Sequence, residues 1–172
     1  MPHFVLYIAT TLDGYIARSN GSIDWLSNFE VAGEDYGYAD FYTTIDSLVM
    51  GSATYEQVLG FGEWVYPGKI SYVLTRRECV SDRNDIVFVK GGIAEVVDRV
   101  TQRGDRRVWV VGGGKVASQF IQQGWVDEYI IAVMPIILGA GISLFQNVPE
   151  LRLNLIHQQS YASGVVMLHY RS

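Results

Sequence analysis

Three consecutive glycines, Gly112-Gly113-Gly114, lie between an apolar run and a segment with helical spacing. The apolar residues 108–111 predict a strand buried on both faces, and the apolar spacing over 116–121 predicts a helix that Gly124 would end. Glycines let the backbone approach a ligand closely, and a helix start offers unpaired N–H groups and the positive end of its dipole. The stretch predicts either a phosphate site or a plain tight turn.

Two familiar phosphate motifs do not describe this stretch. The P-loop ends in Gly-Lys-Ser/Thr, whereas Gly114-Lys115-Val116 lacks the hydroxyl that would hold magnesium. The dinucleotide fingerprint fits only loosely, with Ala117 in place of its third glycine, and it comes two-thirds of the way along the chain. A nucleotide site here would be built differently.

Two other predicted strand ends carry groups that suit phosphate. Gly51 to Thr54 follows the short apolar run 47–50, and Thr54 would either cap the next helix or contact a phosphate. Thr75-Arg76-Arg77 ends a third strand, where guanidinium groups would give bidentate hydrogen bonds. The alternative for the arginines is a solvated surface pair.

Two residues are candidates for contact with a substrate. The sequence predicts a helix over 34–46, and Asp35 at its start would either handle protons in a pocket or stabilise the helix dipole. Trp25 lies in a polar loop soon after the first strand. That loop would be either a lid over a pocket or a surface loop anchored by one aromatic side chain.

The composition excludes several classes of protein. The chain has 172 residues, is 49% hydrophobic and carries a formal charge of −5, which favours one domain, residues 1–172, and argues against a nucleic-acid surface. No apolar run reaches the roughly 20 residues of a membrane span, and no leader peptide is evident. The single cysteine, Cys79, permits no internal disulfide, and we expect it to be a surface thiol in a reducing, cytoplasmic compartment. The chain has only three histidines and none is near Cys79, so we expect no metal cluster.

Strands and helices alternate through the first three-quarters of the chain. This order predicts an α/β fold with a mixed, mostly parallel central sheet, helices on both faces and a C-terminal antiparallel hairpin. In the last quarter we expect a strand over 128–137 with an edge or bulge at Pro135, a half-exposed strand around 151–155 and a final strand over 165–170.

The motifs in this order resemble the dihydrofolate reductase superfamily, and most closely the reductase domain of the riboflavin-biosynthesis deaminase–reductases and its stand-alone relatives. The matching pieces span almost the whole chain: Thr11-Leu12-Asp13-Gly14-Tyr15-Ile16-Ala17, Val49-Met50-Gly51-Ser52-Ala53-Thr54-Tyr55-Glu56, Tyr72-Val73-Leu74-Thr75-Arg76, Val110-Val111-Gly112-Gly113-Gly114 and Pro135-Ile136-Ile137-Leu138-Gly139-Ala140-Gly141.

The resemblance implies an NADPH site at the three strand ends. Gly112, Gly113 and Gly114 would hold the pyrophosphate together with the helix start at Lys115, and Gly51 with Thr54 would contact a phosphate. Thr75 with Arg76 or Arg77 would meet the 2′-phosphate. The family usually has a cation after the glycine that matches Gly51, whereas this chain has Ser52, which leaves the preference for NADPH over NADH open.

On the substrate side, the resemblance implies a small heterocycle. Asp35 lies about where dihydrofolate reductases have their carboxylate, and Asp13 and Trp25 would face the substrate. The leading substrate is a ribosylamino-pyrimidine phosphate of riboflavin biosynthesis; the alternatives are a pterin, or an NADPH-binding protein without turnover. The resemblance and the aromatic content also predict a homodimer.

Overall fold

The computed structural model describes all 172 residues of the chain. Its ten strands are β1 His3–Thr11, β2 Tyr15–Ala17, β3 Ser47–Gly51, β4 Ile70–Leu74, β5 Ile86–Val89, β6 Arg107–Gly112, β7 Val126–Met134, β8 Ile142–Ser143, β9 Asn154–Ser160 and β10 Val166–Arg171. Its α-helices are α1 Tyr38–Thr43, α2 Ser52–Leu59, α3 Gly92–Arg103 and α4 Gly114–Gln122, and Asp24–Phe29 forms a 3₁₀ helix. None of these helices combines the length and the apolar character that crossing a membrane requires.

Eight of the strands form one sheet in the order β5-β4-β3-β6-β1-β7-β10-β9. The strands from β5 to β7 pair in parallel, and β10 pairs antiparallel with both β7 and β9. The short strands β2 and β8 pair separately. The predicted mixed, mostly parallel sheet with a C-terminal antiparallel hairpin is confirmed.

The central strands are buried on both faces, and their side chains alternate between two cores. Val108 and Val110 of β6 pack on one side with α3 and α4, while Trp109 between them packs on the other side with α1 and α2. Because side chains along a strand point to opposite faces in turn, an unbroken apolar run fills both cores at once. Helices therefore cover both faces of the sheet, as predicted.

The predicted helix over 34–46 is shorter in the structure, where α1 covers only Tyr38–Thr43. Gly33 and Gly37 both have positive φ angles, 80° and 81°, so the backbone turns before the helix begins. Asp35 lies in this turn, outside the helix.

The C-terminal strands also differ from the prediction. β7 ends at Met134, so the strand predicted to reach residue 137 stops before Pro135. It is an interior strand between β1 and β10 and pairs without a register shift at this end, so both the edge and the bulge predicted at Pro135 are wrong. Proline lacks the N–H that an interior ladder needs and so lies beyond the strand end. The strand predicted around 151–155 begins at Asn154, and all seven residues of β9 are exposed, because it is the edge strand.

A buried carboxylate joins four strands at the amino ends of β1, β6 and β7. Glu128 is 2% exposed, and its oxygens lie 2.8 Å from Arg107, 3.1 Å from Arg171, 3.0 Å from His3 and 3.1 Å from His169. Burial alone would raise the pKa of Glu128, but the Arg107 charge and the hydrogen-bonding neighbours outweigh burial, and the pKa is lowered. An ionised carboxylate thus links strands β1, β6, β7 and β10 at this edge of the sheet.

The substitution Glu128→Gln tests this contribution to stability. We expect it to lower the free energy of unfolding at pH 7 by about 1.5–3 kcal/mol, the range for a hydrogen bond to a charged group. A lowered pKa gives stability that is present above the unfolded value of about 4.3 and is lost as the pH falls through the folded pKa. Urea unfolding should therefore show the two proteins converging in acid.

The exposed Glu150→Gln variant is the matched control and should unfold like the parent at every pH. An equal loss of stability for both variants, or a Glu128→Gln deficit that does not shrink in acid, would contradict this role of the buried carboxylate.

Candidate functional site

The three predicted strand ends lie side by side in the structure. β4, β3 and β6 are neighbours and parallel, so the turns that follow Leu74, Gly51 and Gly112 leave the same edge of the sheet. In an open α/β sheet, ligands bind outside the carboxyl ends of the strands. The topology therefore brings the three turns that are predicted to bind phosphate to one place.

A cleft of about 1750 Å³ opens at this edge. Pockets for a drug-sized molecule usually measure roughly 300–1,000 Å³, so this cleft has room for a longer ligand. The predicted cofactor residues that line it are Gly51, Thr54, Thr75, Arg76, Arg77, Gly113, Gly114 and Lys115; Gly112 lies just outside the lining.

Two helix starts meet in the cleft and are joined by a hydrogen bond. The N–H of Gly113, which caps α4, donates to Oγ1 of Thr54 in the first turn of α2 at 2.9 Å. Thr54 is therefore the third residue of its helix and does not cap it. The first N–H groups of each helix have no partner within the helix, so both positive dipole ends face the same region. This arrangement suits a pyrophosphate.

The three glycines of the turn differ in the structural constraint that requires the absence of a side chain. Gly112 has a φ of 109°, a conformation that side chains disfavour, and its peptide bond to Gly113 is cis. A Cβ at Gly114 would lie 2.7 Å from the carbonyl oxygen of Ser143, and one at Gly113 would lie 3.4 Å from Oγ1 of Thr54. Gly114 is thus required by the close approach of β8, whereas Gly113 has room for a methyl group.

The paired arginines are not equivalent. The Arg77 guanidinium forms an ion pair with Glu56, and that hydrogen bond raises the pKa of Arg77. The Arg77 backbone N–H donates to Oγ1 of Thr75 at 3.1 Å, which fixes the turn. Arg76 has no ion pair within the chain and is exposed at the rim of the cleft. Arg76 is therefore the guanidinium that is available to a ligand.

The charge of the cleft is opposite to that of the protein. Four cations line it, Arg76, Arg77, Lys90 and Lys115, and no carboxylate does. Glu56 pairs with Arg77 and Glu78 pairs with Lys90, so Arg76 and Lys115 are the cations left unpaired. The whole chain carries a formal charge of −5. Such a concentration of positive charge within an acidic protein favours an anionic ligand.

The structure places Asp35 outside this cleft. Its carboxylate accepts hydrogen bonds from the N–H groups of Gly37 and Ala39, both at 2.9 Å. These bonds, first that from Ala39, lower the pKa of Asp35, so the group is an ionised acceptor. Of the two predicted roles, the structure shows helix-start stabilisation.

Asp13 and Trp25 are also absent from the lining of the cleft. Asp13 accepts hydrogen bonds from Oγ1 of Thr11 at 2.6 Å and from the N–H groups of Leu138 and Gly139, so it ties two loops together. Trp25 is fully buried in a third apolar core beside β7 and β10. Trp25 is therefore a core residue and not a lid.

Sequence reasoning missed the residues that form the other wall of the cleft. The loop residues 20–23 and the apolar side chains of Ile8, Ile16 and Leu26 line this part. The amide of Gln57 on α2 donates to the carbonyl oxygen of Gly21 at 3.0 Å and joins the two walls. A glutamine and a glycine 36 positions apart carry no local signal of this contact.

The fold and the cleft define a class: α/β proteins with a ligand cleft at the carboxyl ends of a parallel sheet. The family model of the RibD C-terminal domain matches residues 2–167. The chain belongs to this family, and the predicted resemblance to the riboflavin-biosynthesis reductase domain is confirmed.

Two curated relatives illustrate the range of this family. The uncharacterized protein YwjB of Bacillus subtilis is 38% identical over 168 residues, which is 96% of this chain and 95% of that protein. The riboflavin biosynthesis protein RibD of Corynebacterium ammoniagenes is 31% identical over 83% of this chain, but the match spans only 46% of that protein.

Solved structures share the fold. A putative riboflavin biosynthesis protein from Shewanella sp. PV-4 superimposes with a TM-score of 0.89 at 28% identity, covering 98% of both chains. The bifunctional deaminase/5-amino-6-(5-phosphoribosylamino)uracil reductase of Thermotoga maritima gives a TM-score of 0.75 at 16% identity, with 99% of this chain matching 56% of that one.

Substitutions at adjacent glycines test the geometry of the turn. Gly114→Ala should lower the free energy of unfolding by about 1–3 kcal/mol, the usual cost of overpacking, because its methyl group meets a backbone oxygen that cannot move aside. Gly113→Ala, whose methyl group has an ordinary contact, is the control and should cost less. Chemical denaturation that ranks the two variants in the opposite order would show that the approach of β8 is not the constraint.

Proposed function

We propose that this chain is a reductase that transfers a hydride from NADPH to a small heterocyclic substrate. The observation that carries the proposal is a cleft with two unpaired cations, Arg76 and Lys115, and no carboxylate in its lining, in a protein of net charge −5. Membership of the RibD C-terminal domain family supports it, because a relative of this fold is named as a uracil-derivative reductase.

Each part of an NADPH molecule has residues suited to hold it. The two joined helix starts, with Thr54 and Gly113 between them, suit the pyrophosphate. Arg76 suits the 2′-phosphate, because an unpaired guanidinium can form a bidentate contact. The apolar wall near Ile8 and Ile16 suits the nicotinamide ring and excludes water from it.

When bound, NADPH supplies a hydride to an electrophilic carbon of the substrate, and a proton goes to the adjoining heteroatom. No carboxylate lines the cleft to donate that proton. The one phenol in the lining, Tyr66, has a pKa raised by burial and stays protonated at neutral pH. We infer that solvent water provides the proton.

The two other candidate functions have less support. A pterin reductase of the dihydrofolate type would use a carboxylate beside the ring, and the Asp35 carboxylate is committed to the start of α1. An NADPH-binding protein without turnover would need the cofactor site alone, whereas a relative of this fold is named as a reductase.

Two arginine variants test the cofactor site. Arg76→Ala should weaken NADPH binding about 10- to 100-fold, because a charge-assisted contact contributes roughly 1.5–3 kcal/mol. NADH lacks the 2′-phosphate, so its affinity should barely change. Fluorescence titration with both cofactors measures these effects.

Arg77→Ala is the matched control, since Glu56 already holds that guanidinium. It should weaken NADPH binding less than Arg76→Ala does. If both variants bind NADPH as tightly as the parent, the strand-end site for the 2′-phosphate is wrong.

Turnover itself is tested by following NADPH oxidation against pyrimidine, pterin and small carbonyl compounds. If none of them is reduced, the alternative of an NADPH-binding protein without turnover is favoured.

We also infer that the chain forms a homodimer through β9. This edge strand, Asn154–Ser160, is exposed along its whole length and contains no Lys, Arg, Asp or Glu. Natural edge strands often carry charges or prolines that prevent pairing, and β9 has neither, so it is a template for another strand. Its one irregularity is at Ile156, the extra residue opposite the step from His169 to Tyr170. A second copy could extend the sheet across a two-fold axis.

Sedimentation velocity tests the dimer. The parent should sediment as a dimer at micromolar concentration, and Ile156→Lys should sediment as a monomer because it puts like charges face to face. Val80→Lys, at a residue 92% exposed on a distant loop, is the control and should remain dimeric. A monomeric parent, or dissociation by both lysines alike, would rule out the β9 interface.

A further inference from the structure

Two of the four cations in the cleft are paired with carboxylates that lie outside its lining. Glu56 pairs with Arg77. Glu78 pairs with Lys90. A phosphate group in the cleft has to compete with these carboxylates for the same positive charges. The ion pairs within the chain therefore bear on which cofactor the cleft prefers.

Helix α2 holds Glu56 beside the cleft. Ser52 begins α2 and lines the cleft, and Glu56 is four residues later, so the two side chains lie on the same face of the helix. Arg77 is the one ion-pair partner of Glu56. By contrast, Glu78 is on the loop between β4 and β5, and its side chain is 90% exposed. Of the two carboxylates, Glu56 is the one that the fold positions.

The backbone of Arg77 is fixed independently of its side chain. The Arg77 N–H donates to Oγ1 of Thr75 at 3.1 Å, and Thr75 is buried. The guanidinium itself is hydrogen-bonded only to Glu56. The side chain can therefore turn from the carboxylate to a ligand while the turn after β4 keeps its shape.

The ion pair between Glu56 and Arg77 is weak enough for a ligand to break. The two side chains are 56% and 63% exposed, and water and salt screen such pairs. A 2′-phosphate carries close to two negative charges against one for a carboxylate, and a guanidinium can form bidentate hydrogen bonds with either group. NADPH can thus displace Glu56, whereas NADH has no group that would take its place.

We propose that Glu56 is a specificity-determining residue, which competes with the 2′-phosphate of NADPH for Arg77 and so reduces the preference for NADPH over NADH. The proposal rests on the proposed function, because it takes the cleft as the NADPH site. NADPH gains the contact with Arg77 only in exchange for the ion pair, so its affinity includes the cost of separating that pair. The affinity for NADH includes no such cost.

The variant Glu56→Gln tests this competition, because it removes the charge and keeps the length of the side chain. We expect NADPH to bind about 2- to 5-fold more tightly, which is the equilibrium equivalent of an exposed ion pair. The affinity for NADH should stay the same. Fluorescence titration with each reduced cofactor measures both affinities, and the gain for NADPH should shrink as the salt concentration is raised.

A double-mutant cycle separates competition from a general change of charge. In the Arg77→Ala background, Glu56→Gln should leave the affinity for NADPH unchanged, because the contested guanidinium is absent. The charge control is Glu63→Gln, which removes an exposed carboxylate from the loop that follows α2. It should bind both cofactors like the parent.

An unchanged affinity of Glu56→Gln for NADPH would overturn the proposal. An equal gain for NADH, an equal gain in Glu63→Gln, or a gain that persists without Arg77 would also overturn it, because each would show a general effect of charge. Failure of the parent protein to bind NADPH would instead overturn the proposed function, and this binding is measured first.

Discussion

The parallel pairing of β4, β3, β6 and β1 is the constraint on which the rest of this structure depends. Parallel neighbours all leave the sheet at the same edge, so each following turn brings its side chains to one cleft. The same pairing requires a crossover between strands, and the crossover helices cover the two faces. Burial of the sheet on both sides and convergence of the ligand groups thus have a common cause.

The two ends of the sheet use charge differently. At the amino ends, Glu128 is surrounded by Arg107, Arg171, His3 and His169, and every charge has a partner. At the carboxyl ends, Arg76 and Lys115 have no ion-pair partner within the chain. The paired charges hold the strands together, whereas the unpaired cations of the cleft remain available to a ligand. A cation is informative about function when the fold leaves it unpaired.

The sequence predicted those features that depend on neighbouring residues. The apolar run before Gly112 and the helical spacing after Gly114 are local patterns, and β6 and α4 follow them closely. Trp25 could not be placed in this way, because the residues that bury it, Ala132 to Met167, come more than 100 positions later. The role of Asp35 was decided by the conformation of Gly37, which ends the turn and starts the helix.

The hydrogen bond from Gln57 to Gly21 has a consequence for the kinetics of any long ligand. The two walls that it joins cannot separate at this point unless the bond breaks, and a typical hydrogen bond of this kind contributes only about 0.5–1.5 kcal/mol net. Thermal motion therefore opens it often. The residence time of a bound molecule is then set mainly by its own contacts with the cleft. The Gln57–Gly21 hydrogen bond would delay release by no more than about tenfold.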